Sequence, residues 1–144
     1  MSTQFTDQRR IAADLTAMAV APDRDSSRLA TASAEVGSFA GCAVGVWEAG
    51  PGTDDDVEGD ELFLVLSGRG EVRFEDGAWI SLTPGTLVQL RAGERTTWVI
   101  SERLRKLYLS VPAATGVRPL WDGQSSATMV RQTLATSRSS RSPS

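Results

Sequence analysis

The sequence predicts an all-β domain made of many short strands, and three observations support this prediction. Short apolar runs recur along the middle of the chain, as in CAVGVWEA, ELFLVLSG and TLVQL. Turn signals separate these runs: GPG follows the first, Asp76-Gly77 lies inside a hairpin, and Pro84-Gly85 suits a tight turn. Strands at this spacing are typical of a sandwich, a jelly roll or a barrel.

Three zones divide the 144 residues. Residues 1–28 are predicted to form a short helix followed by a loop. Residues 29–122 are predicted to form the β domain. Residues 123–144 end in SRSSRSPS, which is too polar to bury a core, and this zone is therefore predicted to be a disordered tail.

The N-terminal helix prediction depends on a cap, an apolar face and a stop signal. Thr6 is a suitable N-cap residue. Ile11, Leu15 and Met18 follow at helical spacing, and Pro22 ends the pattern. We expect this helix to pack on the β domain or on a partner subunit.

Composition excludes several classes of function. The formal charge of −3 and the pI near 5.0 give no broad basic surface, which argues against nucleic acid as the main partner. No apolar run reaches the length of a membrane span, and the N-terminus lacks a signal-peptide layout. Cys42 is the only cysteine, so it cannot form an internal disulfide. We expect a cytoplasmic protein in which Cys42 is a small buried apolar residue.

From about Gly45 to Val111 the chain resembles the cupins. The likeness is greatest to the small single-domain cupins grouped with ureidoglycine aminohydrolase and the ethanolamine-utilisation cupin protein. It is carried by an ordered series of residues: Trp47-Glu48, Pro51-Gly52, Asp60-Glu61, Leu66 to Gly68, Pro84-Gly85, Gly93, Trp98, Glu102, Arg105-Lys106 and Tyr108. The resemblance implies a cupin jelly-roll barrel, a homodimer, and a ligand pocket in the lumen.

The metal ligands of the cupins are largely missing. Metal-binding cupins usually carry three histidines and a glutamate, but this chain contains no histidine. The resemblance places Glu61 at the glutamate position, and Asp54, Asp56 and Thr96 at the histidine positions. Carboxylates suit magnesium, calcium or manganese rather than zinc or iron, and threonine is a poor ligand. We therefore predict no metal and no other cofactor, with Asp54, Asp56 and Glu61 as weak candidates for a hard cation.

Strand alternation and the resemblance together predict which side chains share the lumen. Residues two apart in a strand point to the same face, so each strand contributes alternate residues. The resemblance places the Lys106 and Tyr108 pair inward. The catalytic candidates are Glu61, Lys106 and Tyr108; the ligand-binding candidates are Thr96 and Trp98, with Trp47 or Glu48 from an earlier strand.

Three functions stay open for such a lumen. A glutamate and a lysine in a partly apolar barrel can bind a small polar metabolite, and we favour this metal-independent binding or accessory role. They can instead transfer protons, which would make the protein an enzyme acting on a small amine or carboxylic acid with Glu61 as acid and base. They can also merely pair and hold the strands of a structural partner protein with a packed lumen. Aminohydrolase activity is not expected, because in the resembling family it depends on a metal.

The tryptophan in the predicted hairpin raises a separate question. Trp79 and Ile80 are adjacent, so one of the two side chains must face outward. An exposed Trp79 would indicate a subunit interface, since aromatic residues are enriched at interfaces.

Overall fold

The computed structural model describes residues 11–24 and 28–112, and these residues form eight β-strands and no helix. The strands are β1 (Ala21–Pro22), β2 (Ala32–Phe39), β3 (Cys42–Ala49), β4 (Gly52–Val57), β5 (Glu61–Phe74), β6 (Trp79–Leu82), β7 (Leu87–Leu90) and β8 (Arg95–Ser110). Every pairing between them is antiparallel. The predicted all-β jelly roll is confirmed.

Strand β8 organises the fold because it pairs with three other strands. Its second half lies between β3 and the first half of β5, while its first half lies between β4 and the second half of β5. The strand order is β1-β2-β3-β8-β5-β6, and β7 lies on the free side of β5. Register shifts in β5 between Val65 and Gly70 mark its bend from one part of the sheet to the other.

The core fills the inside of this curved sheet. Alternate residues of β5, β7 and β8 point inward, as the burial pattern of each strand shows, whereas β3 is buried on both faces from Val44 to Trp47. One cluster contains the buried apolar side chains: Leu29, Trp47, Ala49, Phe63, Val65, Val72, Leu82, Val88, Leu90, Trp98, Ile100, Leu104 and Tyr108. The outer face is also rich in leucine, and Leu62 and Leu87 are exposed there.

The N-terminal helix is absent from the part of its predicted span that the structure describes. Residues 11–22 contain a turn and the short strand β1, while residues 1–10 lie outside the described residues. Arg105 explains the difference, because its guanidinium donates to the backbone oxygen atoms of Leu15 at 2.7 Å and Met18 at 2.8 Å. In a helix those oxygen atoms would accept from N–H groups four residues later. The helix prediction is therefore wrong for residues 11–22.

Two further predictions concern chain ends and exposure. The predicted tail, residues 123–144, and the last ten residues of the predicted β domain, 113–122, lie outside the described residues.

Trp79 is 61% exposed on β6, whereas Ile80 is partly buried. The homodimer that such exposure would serve stays a prediction. Within the described ranges, no helix has the length and apolar character needed to cross a membrane.

Gly68 and Gly77 provide a test of the β5 bend. Both have positive φ, at 93° and 96°. A Cβ at Gly68 would lie 2.5 Å from the Leu104 Cα atom and press on the Arg103 carbonyl, whereas a Cβ at Gly77 meets nothing. Gly77→Ala should cost about 1–2 kcal/mol for its backbone conformation alone. Gly68→Ala should cost more, roughly 2–5 kcal/mol, because the clash adds to the strain. Urea denaturation measures both costs, and equal losses would contradict the bend described here.

Candidate functional site

An ion pair lies at the centre of the barrel. The Nζ atom of Lys106 on β8 is 2.7 Å from the Oε2 atom of Glu61 on β5, and each side chain is only 1% exposed. Strand alternation turns both residues inward, as predicted. Burial of either charge without the other would destabilise the fold. Each residue of the pair is therefore tolerated in the interior because the other is present.

Three aromatic rings enclose the ammonium group of Lys106. Its Nζ atom lies 4.3 Å from the ring centroid of Phe63, 4.6 Å from that of Trp47 and 4.7 Å from that of Trp98. A cation above the face of an aromatic ring is attracted by the electron density of the ring. The cage and Glu61 together hold the ammonium group in one place.

Trp47, not Glu48, is the residue that β3 contributes to the interior. Trp47 is fully buried, and its indole nitrogen has no hydrogen-bond partner among the described residues. Glu48 points the other way, where it accepts hydrogen bonds from Nε of Arg103 at 2.8 Å and Nε of Arg105 at 2.6 Å. Glu48 therefore does not share the interior with Trp47, because adjacent strand residues face opposite sides, and its ligand-binding role stays a prediction.

A second buried acid, Glu58, adjoins this pair. Its Oε2 atom accepts hydrogen bonds from Oγ1 of Thr96 at 2.7 Å and from Nε1 of Trp98 at 2.9 Å. Burial raises the pKa of the Glu58 carboxyl from 4.5 to about 8, and the charges of Asp56 and Glu61 contribute to the rise. The carboxyl of Glu58 is therefore mostly protonated at neutral pH.

The spacing of the acidic residues is the sequence signal for the burial of Glu58. Asp54, Asp56 and Glu58 are two residues apart, so an extended chain turns all three to one side. Asp56 and Glu58 are buried, and Asp54 is partly buried. Asp55 faces outward and accepts a hydrogen bond from Oγ1 of Thr97 at 2.7 Å. The acidic segment is thus a strand with one buried side, not only a solvated loop.

The weak metal candidates are not assembled. Within residues 11–24 and 28–112, no three His, Cys, Asp or Glu side chains form a group that could hold a metal ion. Asp54, Asp56 and Glu61 therefore make no such site there, and Oδ1 of Asp54 accepts a hydrogen bond from the backbone nitrogen of Asp55 at 2.9 Å.

Tyr108 lies on the same side of β8 as Lys106 and is 1% exposed. Burial raises the pKa of its hydroxyl above the ordinary value, and the negative charges of Glu35 and Glu61 add to the rise. The hydroxyl lies directly over Gly45, where a Cβ would collide with it. Tyr108 is therefore a neutral hydroxyl fixed in a tight space, and its predicted catalytic role stays a prediction, as do those of Glu61 and Lys106.

We call the group Asp56, Glu58, Glu61, Thr96, Trp98 and Lys106 the interior polar cluster. Two cavities reach it. The Thr96 cavity, of about 510 Å³, is lined by Asp56 and Thr96 as well as by Arg73, Phe74 and Arg95. The Glu61 cavity, of about 420 Å³, is lined by Glu61 together with Cys42, Leu62, Leu90, Leu109 and Val111. A ligand in either cavity would meet one buried acid or its hydrogen-bond partner.

Comparison with known proteins supports the family resemblance. A family model described as the EutQ-like cupin domain matches residues 37–108. The structure is similar to ethanolamine utilization protein Q of Salmonella typhimurium, with 18% identity, 79% of this chain and 96% of that chain covered, and a TM-score of 0.66. It is similar to the EutQ protein of Clostridium difficile, with 18% identity, 78% and 95% covered, and a TM-score of 0.65. At these identities the structural matches establish the fold alone.

A third structure widens the range of chemistry found on this fold. Ectoine synthase of P. lautus is 19% identical, with 72% of this chain and 87% of that chain covered and a TM-score of 0.54. No curated protein sequence matches the chain. The predicted likeness to ureidoglycine aminohydrolase is not confirmed, whereas the likeness to the ethanolamine-utilisation cupin is.

The Glu61–Lys106 pair yields a prediction about stability. Lys106→Met should lower the free energy of unfolding by about 3–5 kcal/mol, because Glu61 is left as a buried charge without its partner. Glu61→Gln combined with Lys106→Met should recover most of that loss. The exposed pair Arg69 and Glu102, 3.5 Å apart, is the control, and Arg69→Met should change stability by less than about 1 kcal/mol. Urea denaturation of these three variants and of Glu61→Gln alone measures the coupling; additive losses would show that the pair does not act as a unit.

The carboxyl of Glu58 yields a prediction about pH. Its pKa is higher in the folded state, so the folded protein binds more protons between about pH 4.5 and 8. The stability that Glu58 contributes is complete below 4.5 and is lost as the pH rises through 8. Relative to Glu58→Gln, the wild-type protein should lose up to roughly 1.4 kcal/mol per pH unit in this window. Parallel stability curves for the two proteins from pH 5 to 8 would contradict the raised pKa.

Proposed function

We propose that this chain, which belongs to the EutQ-like cupin domain family, binds a small zwitterionic metabolite in the Thr96 cavity without a metal ion. The observation that supports this most is the distribution of buried charge. Three carboxyl groups, Asp56, Glu58 and Glu61, are buried with one ammonium group, that of Lys106. Glu58 is mostly protonated at neutral pH, and a positive charge beside it would favour its ionised form.

The cationic group of the ligand would bind at the inner side of the cavity. Asp56 and Thr96 line the cavity, and Thr96 donates to Glu58 directly behind it. A positive charge at this place would lower the pKa of Glu58 and favour its ionised form. Binding should therefore release a proton from Glu58 near neutral pH.

The anionic group of the ligand would bind at the outer side. Arg73 and Arg95 line the cavity and are exposed, and guanidinium groups pair well with carboxylates. Arg73 also pairs with Glu71, so a ligand carboxylate would compete with or join that contact. Phe74 and Val57 supply apolar wall between the two ends. Opposite charges separated by apolar surface are what a zwitterion matches.

The enclosure of Lys106 explains why we place the ligand in the Thr96 cavity instead of the lumen centre. The ammonium group already has a carboxylate partner and three ring faces. A ligand at the centre would have to displace these contacts. Lys106 then has no direct contact with the ligand, and its role is to balance the charge of Glu61 between the three rings. This role agrees with the alternative in which Glu61 and Lys106 only pair and hold the strands at the centre of the barrel.

Proton transfer is a second candidate function, and one observation favours it. A carboxyl group with a pKa of about 8 exchanges protons near neutral pH, as a general acid or base must. The group in question is Glu58, whereas the sequence pointed to Glu61. If the protein is an enzyme, Glu58→Gln should abolish turnover of a bound ligand while leaving the fold and much of the affinity intact.

Isothermal titration calorimetry tests the binding proposal. Amino acids and betaines would be titrated in the presence of a chelator, with simple amines and simple carboxylates for comparison. Thr96→Val should weaken binding of the zwitterion by about 3–10-fold, because it removes one hydrogen bond behind the cationic site. Arg73→Met with Arg95→Met should weaken the zwitterion but not a simple amine. Glu102→Gln, an exposed acid away from the cavity, is the matched control.

The outcomes of the titrations separate the alternatives. Binding that requires a divalent cation would contradict the metal-free site. Equal losses for zwitterion and amine in the arginine variant would contradict the two-ended arrangement. An absence of binding across the panel, with the fold intact, would favour a structural partner protein.

A further inference from the structure

We propose that a single sodium or potassium ion binds between the side chains of Asp23 and Thr31, where β1 pairs with β2. The proposed function uses neither residue, and both are buried, at 5% and 2% exposed. Oδ2 of Asp23 and Oγ1 of Thr31 are shut off from solvent and have no hydrogen-bond partner among the described residues. Buried polar atoms are almost always satisfied by protein, by water or by an ion. These two oxygen atoms therefore indicate a bound group.

The backbone brings the two side chains next to each other. Pro22 on β1 pairs with Ala32 on β2, and the N–H of the next residue, Asp23, donates to the backbone oxygen of Thr31 at 3.0 Å. Side chains opposite each other in an antiparallel pair lie on the same face, with Cβ atoms about 4.5–5.5 Å apart. Ser33 lies on this face too, because its hydroxyl donates to Oδ1 of Asp23 at 2.7 Å. One small ion can therefore contact Oδ2 of Asp23 and Oγ1 of Thr31 together.

The charge around Asp23 favours a cation. None of the ion pairs among the described residues includes Asp23 or Glu35. Burial raises the pKa of the Tyr108 hydroxyl, and the negative charges of Glu35, Glu61 and Asp23 add to the rise. The carboxylate of Asp23 thus acts on the same part of the barrel interior as two other acids. A cation beside it would stabilise a buried charge that has only one hydroxyl donor.

The donor atoms indicate which kind of cation fits. A carboxylate oxygen and a hydroxyl oxygen suit a hard cation, whereas zinc, iron and copper prefer nitrogen or sulfur ligands. Within residues 11–24 and 28–112, no three His, Cys, Asp or Glu side chains form a group that could hold a metal ion. A single carboxylate therefore favours a monovalent ion over calcium or magnesium. Enclosure of both oxygen atoms favours one ion over a larger organic cation.

Thermal unfolding of the full-length protein tests this site. Sodium or potassium chloride would replace choline chloride stepwise at constant ionic strength, with a chelator present, so that general screening of charge stays the same. At about ten times its dissociation constant, the preferred ion should raise the Tm by roughly 3–8 °C, because it binds only the folded state.

Three variants locate the ion. Thr31→Val keeps the shape of the side chain but removes the hydroxyl, and Asp23→Asn removes the charge; each should abolish most of the rise in Tm. Thr16→Val is the matched control, because the Thr16 hydroxyl donates to Oδ1 of Asp14 at 2.7 Å at an exposed position. This control should keep the full rise. Circular dichroism checks that each variant is folded, and Thr31→Val decides alone if Asp23→Asn does not fold.

Two outcomes would overturn the proposal. If the Tm of the wild-type protein is the same in all three salts, water or a direct contact satisfies the two oxygen atoms instead of an ion. If a folded Thr31→Val or Asp23→Asn variant keeps the full rise, the ion binds elsewhere. Thr96→Val should leave the rise unchanged, which separates this site from ligand binding in the Thr96 cavity.

Discussion

The interior of this protein depends on one buried ammonium group, that of Lys106. A lysine with 1% of its side chain exposed is tolerated only when its charge is stabilised by other groups. Here a carboxylate and three aromatic rings stabilise it. The rings are brought together by β3, β5 and β8, which are the strands that form the middle of the sheet. The positions of Trp47 and Trp98 are thus linked to the charge they surround, and the Glu58 carboxyl is in turn held by Trp98.

The arrangement replaces one kind of polar centre by another. In the metal-binding cupins that the sequence resembles, histidines gather around an ion. Here the chain supplies its own cation, Lys106, which pairs with the carboxylate of Glu61 and is enclosed by three aromatic rings. A fixed internal cation cannot act as a Lewis acid as a metal ion does, but it leaves the neighbouring acids with unequal environments: Glu61 has a cationic partner, while Glu58 has neutral donors and a raised pKa. Groups separated in this way are suited to sensing the charge of a ligand.

Much of this organisation follows from sequence pattern, and the exceptions have physical reasons. The strands, the inward direction of Glu61, Lys106 and Trp98, and the absence of histidine could all be read from the chain. Alternation alone could not decide between Trp47 and Glu48, because it fixes relative faces and not which face is inside. Nor could it show that Arg105 would capture the backbone oxygen atoms of the N-terminal segment, since that contact joins residues 90 and 87 positions apart.

Glu58 shows a different limit of sequence reasoning. The run DDDVEGDE has the composition of a solvated loop, and its burial results from pairing between β4 and the first half of β8. Whether an acidic residue is solvated or enclosed is decided by the strand across from it, which a local pattern does not contain.

The uninterrupted β8 strand also restricts how this chain can change length. Thr96 and Trp98 at one end and Lys106 and Tyr108 at the other all face inward on a single strand of 16 residues. Deletion or insertion of one residue between Trp98 and Lys106 would transpose the two faces beyond that point, sending the ammonium group outward and a leucine inward. Only an even number of inserted or deleted residues would keep the same side chains facing inward. Related sequences should therefore tolerate substitutions in this strand far more readily than single-residue gaps.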